Sequence, residues 1–226
     1  MEVIIVGDSH TRIFKHYNLN HSLFNLIVIP RSSVTLFRVQ RDGINELLNM
    51  DHQRAYSIEK KFINNPKIGI FSFGWVDICN NILKHPDNNW EKDIDNYINK
   101  INIYCRKKQI IPVINTDNVP QPECKDHIYY GELSDRINLR DKYNFYMKQY
   151  CINNNIEYVE FYKKYENNRK AFSFDKSISE DGAHIGHNKQ TALNCDGCDL
   201  CCGKEAKYLW NILTNKLIEV KKKYSL

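Results

Sequence analysis

The chain predicts an α/β protein: a parallel sheet with helices on both faces, three layers in all. Three observations carry this. Short apolar runs rich in β-branched residues recur at Val3–Val6, Leu23–Ile29, Ile68–Phe73, Gln109–Ile114 and Glu157–Phe161. Val3–Val6 has neither a helical period nor an alternation of apolar with polar, which is the pattern of a strand buried on both faces. Segments with helical spacing separate these runs and close the chain, and strands alternating with helices build parallel sheets. With 226 residues, 42% of them hydrophobic, and neither an internal repeat nor a Gly/Ser-rich linker, the chain is expected to form a single domain over residues 1–226.

The first strand, Val3–Val6, ends at Gly7, and Asp8-Ser9-His10-Thr11 can open a helix through Ile13-Phe14, because Ser and Asp satisfy free N–H groups at a helix start. The second strand is closed by Pro30, and Arg31-Ser32-Ser33-Val34 forms the loop after it. One or two surface helices are expected over Ile44 to Phe62. The third strand ends at Gly74. Ile94, Tyr97, Ile98, Ile101 and Tyr104 recur at spacings of three and four, which predicts an amphipathic helix over Trp90 to Cys105. In the fourth strand Pro112 points to an edge or a bulge. Asn115 to Glu132, with Pro120 and Pro122, reads as a long loop, Leu133 to Asn153 as a helix, and Lys204 to Val220 as the closing helix.

Composition excludes several classes of function. No stretch approaches the roughly 20 apolar residues of a membrane helix. The net charge of +5 is modest and its lysines and arginines are scattered; Lys221-Lys222-Lys223 is the kind of cluster a helix C-terminus favours. Neither a nucleic-acid partner nor a membrane partner is expected. The first strand follows Met1 with no basic leader or apolar signal core, so a cytoplasmic, intracellular location is expected. Abundant Asn, Ile and Lys suggest an AT-rich coding genome.

A serine at the C-terminal end of a buried parallel strand faces the crevice where open α/β sheets hold their ligands. An unactivated hydroxyl is a weak nucleophile that needs a base, and the base needs a group to orient it. Asp181-Gly182-Ala183-His184 supplies a carboxylate and an imidazole three residues apart. Gly7-Asp8-Ser9-His10 and Asp181-x-x-His184 resemble the first and last blocks of the SGNH, or GDSL-type, hydrolases, and Phe71-Ser72-Phe73-Gly74-Trp75-Val76-Asp77 resembles the third. The three blocks span Val3 to His184, and their order is more specific than any one of them.

The resemblance implies a five-stranded parallel sheet in flavodoxin-like order 2-1-3-4-5 and a serine esterase acting through an acyl-enzyme. Ser9 would be the nucleophile, His184 the base and Asp181 its orienting group. The oxyanion hole would use the Ser9 N–H and an N–H of Ser32 or Ser33. The substrate would be a small acyl ester, such as O-acetyl on a carbohydrate; an acyltransferase and a non-catalytic glycan-binding protein are the alternatives. No cofactor and no metal is assigned to this chemistry. The chain departs from the family pattern twice. The second block lacks its usual glycine, and Val76 stands where the third block has asparagine. Asn80, Asn81 or Asn115 could replace that donor. The Gly-x-x-Asp form of the third block is similar to proteins of glycan-modifying loci and large viruses. Arg12, Trp75 and Asp77 are the substrate-binding candidates: Arg12 for a hydroxyl or anion, with an exposed helix arginine as its alternative, Trp75 for stacking on a sugar, with core or rim packing the more common fate of a tryptophan, and Asp77 with a structural alternative, bonding the first-block loop. His10 is set aside as base, because side chains at successive positions point apart.

Four thiols fall within eight residues, Cys195, Cys198, Cys201 and Cys202. Disulfides, reaching in one version to Cys124 or Cys151, and zinc or no bond at all remain open readings. Since the segment begins eleven residues after His184, it is expected as a lobe beside the active-site mouth.

Overall fold

The computed structural model describes residues 1–31, 34–48, 66–118, 129–165, 195 and 197–226. Five strands form one parallel sheet in the order β2-β1-β3-β4-β5. They are β1 (Glu2–Gly7), β2 (Asn25–Pro30), β3 (Ile68–Ser72), β4 (Ile111–Asn115) and β5 (Glu157–Val159). A 3₁₀ helix, Ser9–Phe14, follows β1, and α1 (Tyr17–Asn20) follows that. The α-helices that follow are α2 (Leu36–Asp42), α3 (Ile44–Leu48), α4 (Trp90–Lys108), α5 (Leu133–Asn153), α6 (Asp199–Cys202) and α7 (Lys204–Lys223).

The pleat of β1 explains the three layers, because successive side chains of a strand point to opposite faces. Val3 and Ile5 join a core with Phe14, Tyr17, Trp210, Leu213 and Leu217, whereas Ile4 and Val6 join one with Leu36, Val39, Ile94, Ile98 and Met147. One layer is therefore α7 with the 3₁₀ helix, and the other is α2, α4 and α5. The first layer is tied by polar contacts as well. Trp210 Nε1 donates to the Ile13 carbonyl at 2.9 Å, and the Tyr17 and Thr214 hydroxyls lie 2.9 Å apart.

The sequence boundaries shift where local chemistry overrides the apolar run. Leu23 is exposed and β2 begins at Asn25. Gln109 adopts a left-handed conformation, φ 56°, that ends α4, so β4 starts only at Ile111. Pro112 does not mark an edge: β4 lies between β3 and β5. Its ladder with β5 begins one residue later, at Val113, so the missing N–H interrupts no pair on that side. α2 was not anticipated; Thr35 caps it by accepting the Arg38 N–H at 3.1 Å. Among the described residues no helix is long and apolar enough to cross a membrane.

Candidate active site

In sheet order β2-β1-β3-β4-β5 the chain leaves β1 for one side and reaches β3 on the other, so the switch point lies between the C-terminal ends of β1 and β3. Such points are where open α/β sheets form ligand crevices. Ser9 is the first residue of the 3₁₀ helix at that point, 9% exposed. Its position is set by Asp8, the cap, whose carboxylate accepts the His10 N–H at 3.1 Å. Gly7 permits the turn. A Cβ there would stand 2.3 Å from Thr11 Cγ2 and 2.4 Å from the Ser72 carbonyl oxygen, so no larger residue fits between β1 and β3. The Asp8 N–H donates to that same carbonyl at 2.9 Å, and the Thr11 hydroxyl donates to the Asp8 carbonyl at 2.8 Å.

Asp8 also accepts the backbone N–H of Trp75. The third block is thus joined to the first by the first block's own carboxylate, not by Asp77 as the structural alternative had it. Asp77 bonds elsewhere: its Oδ2 accepts the Leu36 N–H at 3.0 Å and holds the start of α2 against β3. Both acids are buried. Burial pushes each carboxyl up to about 7. In Asp8 the His10 and Trp75 N–H groups and the Arg12 charge pull partly back; in Asp77 the Leu36 N–H and the Asn81 amide do so.

Gly74, at φ 129°, turns the chain at the end of β3, with Tyr143 so close that a Cβ would meet its hydroxyl at 2.7 Å. Trp75 then lies 5% exposed in the core, its ring 5.2 Å from that of His10. The Tyr162 ring stands 6.4 Å from His10 on another side. The tryptophan proposed to stack on a sugar is thus packed against His10. Arg12 is partly buried on the turn after Ser9, its charge acting on Asp8. Val76 is partly buried against the α7-side core.

The substitute donors Asn115 and Asn81 bond within the protein. Asn115, at the end of β4, gives its amide hydrogens to Ser72 Oγ at 3.0 Å and to the Asp117 carbonyl at 2.6 Å. Asn81 bonds Asp77. Asn80 is partly buried in the π-helical turn Asp77–Asn81. Asp181, His184, Ser32, Ser33 and Cys124 lie outside the described residues. Asp117 was not singled out from sequence. Its Oδ2 accepts the Tyr162 N–H at 2.6 Å, and burial raises it to about 8. Only its place just beyond the fourth strand could have pointed to it.

No protein-family model matches the chain, and no curated protein matches it in sequence. Solved structures do. A GDSL-like lipase from Bacteroides thetaiotaomicron superposes with a TM-score of 0.57 at 12% identity, over 97% of this chain and 88% of that one. A psychrotrophic esterase, EstA, from Pseudoalteromonas sp. gives 0.55 at 12% identity, over 96% and 98%. An acetyl xylan esterase from Geobacillus stearothermophilus gives 0.52 at 11%, over 95% and 93%. The chain thus has the SGNH-hydrolase-like α/β fold, with its Gly-Asp-Ser block at the sheet's switch point.

Proposed function

We propose that the protein is a serine-dependent ester hydrolase that removes a small acyl group, such as O-acetyl on a carbohydrate, through an acyl-enzyme. The observation that carries this reading is Ser9 at the start of a helix, at the switch point of a sheet whose similar structures include a GDSL-like lipase and acetyl xylan esterases. In the reaction Ser9 Oγ attacks the acyl carbon while His184 takes its proton. The tetrahedral oxyanion is held by the Ser9 N–H and an N–H of the Ser32–Ser33 loop. His184 then protonates the leaving alcohol. Water, activated by the same imidazole, discharges the acyl group, and Asp181 keeps the imidazole in the right tautomer throughout. Arg12, one turn after Ser9, is the candidate contact for a substrate hydroxyl or anion. The site needs no metal for these steps. Release of p-nitrophenol from the acetyl ester, with slower release from longer chains, tests the acyl preference; deacetylation of an O-acetylated xylan tests the acceptor. Ser9→Ala should abolish both, by roughly a thousandfold or more.

A second reading has a specific observation in its favour. Val76 cannot donate a hydrogen bond, and Asn115 spends both amide hydrogens inside the protein, which fits a glycan-binding protein that keeps the fold. Val76→Asn separates the two. In a hydrolase it raises the rate of ester cleavage by up to about a hundred- to a thousandfold, the contribution of one oxyanion donor. A binding protein turns over no ester in either background.

A further inference from the structure

We propose that His16, Cys195 and Cys201, completed by Cys198, form a tetrahedral zinc site that clasps the helix behind Ser9 to the segment leading into α7. The inference does not depend on the esterase reading. One ring nitrogen of His16 and the Sγ atoms of Cys195 and Cys201 all lie within 4.8 Å of one another, although His16 is separated from the cysteines by most of the chain. The Cys198 and Cys201 sulfurs are 3.8 Å apart. Two thiolates bound at about 2.3 Å to one tetrahedral zinc stand about 3.8 Å apart, so this edge already has the spacing of a zinc ligand pair. The Cys195–Cys201 edge, at 3.1 Å, opens to the same value when the metal enters.

The backbone around these sulfurs is built to hold a thiolate. The Gly197 N–H points to Cys195 Sγ at 3.4 Å, the arrangement of a Cys-x-x-Cys turn that stabilises charge on its first sulfur. That turn requires φ 102° at Gly197, a glycine conformation, and carries the loop over the histidine: a Cβ at Gly197 would lie 3.9 Å from His16 Nδ1. Lys15 Nζ donates to the Cys195 carbonyl at 3.1 Å and fixes the register between the two segments. No disulfide joins the described cysteines. Zinc uses all three thiols and the buried imidazole, 6% exposed, at one point, whereas a Cys195–Cys201 disulfide uses only two of the four groups. Soft sulfur with one imidazole selects zinc among the common divalent ions. With His16 as the fourth ligand, Cys202, next to Cys201, is not needed.

The test uses the full-length protein without a histidine tag, purified without chelator. Elemental analysis should find one zinc per chain, and cobalt substituted for it should give the sulfur-to-cobalt charge-transfer bands and intense d–d bands of a tetrahedral thiolate site. Competition with a chromophoric chelator should show zinc affinity lowered at least about a hundredfold by His16→Ala and by Cys198→Ser, since even outer partners of a ligand contribute 10–100-fold. Cys202→Ser should leave stoichiometry and spectrum unchanged, which guards against a variant that merely misfolds. Freshly reduced wild-type protein that retains no zinc when supplied with it overturns the proposal. So does a Cys195–Cys201 disulfide in the isolated protein, a weak octahedral cobalt spectrum, or zinc affinity unaltered by His16→Ala.

Discussion

The two ends of the sheet treat buried acids in opposite ways. At the C-terminal end Asp8 and Asp77, 3% and 6% exposed, are met by backbone N–H groups, and burial lifts both to about 7. At the opposite end Glu157, the first residue of β5, is equally buried but receives Lys216 at 2.8 Å and Lys223 at 2.5 Å. Burial alone would raise it; the two ammonium groups outweigh that and hold it below the ordinary carboxylate value. The shifts have opposite signs: burial dominates over the hydrogen bonds at Asp8 and Asp77, and two ammonium groups override it at Glu157. The lysine-paired end fastens α7 to the sheet, whereas the end that carries Ser9 holds its loops with acids that would be more stable protonated. Perturbed carboxyls of that kind gather where a fold holds a functional geometry at the expense of stability.

The largest effect should come from Asp77→Asn, read as stability against pH. A carboxyl whose folded value lies near 7 keeps protons that the unfolded chain has already released above pH 4. Its contribution therefore falls as pH rises from about 4 to about 7. Asparagine keeps an acceptor for the Leu36 N–H and has nothing to ionise, so urea unfolding between pH 4 and 8 should show the decline reduced by up to about 4 kcal/mol. An unchanged slope would break the comparison at its stronger side.

Gly7→Ala should cost about 3 kcal/mol or more, because its Cβ meets a backbone carbonyl that cannot withdraw without breaking the Asp8–Ser72 hydrogen bond. Gly69→Ala, midway along β3, meets only the Phe71 and Ile110 side chains at 3.0 and 3.2 Å and should cost about 1 kcal/mol. Equal losses in denaturant melts would mean that the turn into Ser9 is no tighter than the strand interior.

Glu157→Gln should cost only about 1–2 kcal/mol, since Lys216 keeps Glu219 at 2.8 Å. Its pH dependence should run the other way. The wild-type contribution is complete above the ordinary carboxylate range and disappears as pH falls through it, so wild type and variant should converge in acid. A difference that grows on acidification would contradict the assigned partners.

Much of this was legible in the chain. Val3–Val6 and Ile68–Phe73 announce central strands because burial on both faces admits only apolar residues, and Leu133–Asn153 coincides with α5. The Gly-Asp-Ser block falls at the switch point because a strand-ending glycine and a capping aspartate have few other uses together. What stayed hidden depends on contacts distant in sequence. Periodicity cannot say that Asp8 reaches the Trp75 N–H or that Asp77 reaches Leu36, since each requires the sheet to exist first. His16 carries no motif at all; only folding brings it to the cysteines. Of the two fates open to Trp75 at the mouth of the third strand, stacking on a sugar or packing in the core or rim, the turn at Gly74 selects the core, against His10.

The central claim, that Ser9 is an acyl-accepting nucleophile, is tested most directly by a fluorophosphonate probe followed by mass analysis of the N-terminal peptide. The account predicts one phosphonyl group on Ser9, formed in wild-type protein and in Val76→Asn, and absent from Ser9→Ala. Folded wild-type protein that leaves Ser9 unlabelled, or carries the label on another residue, would contradict it.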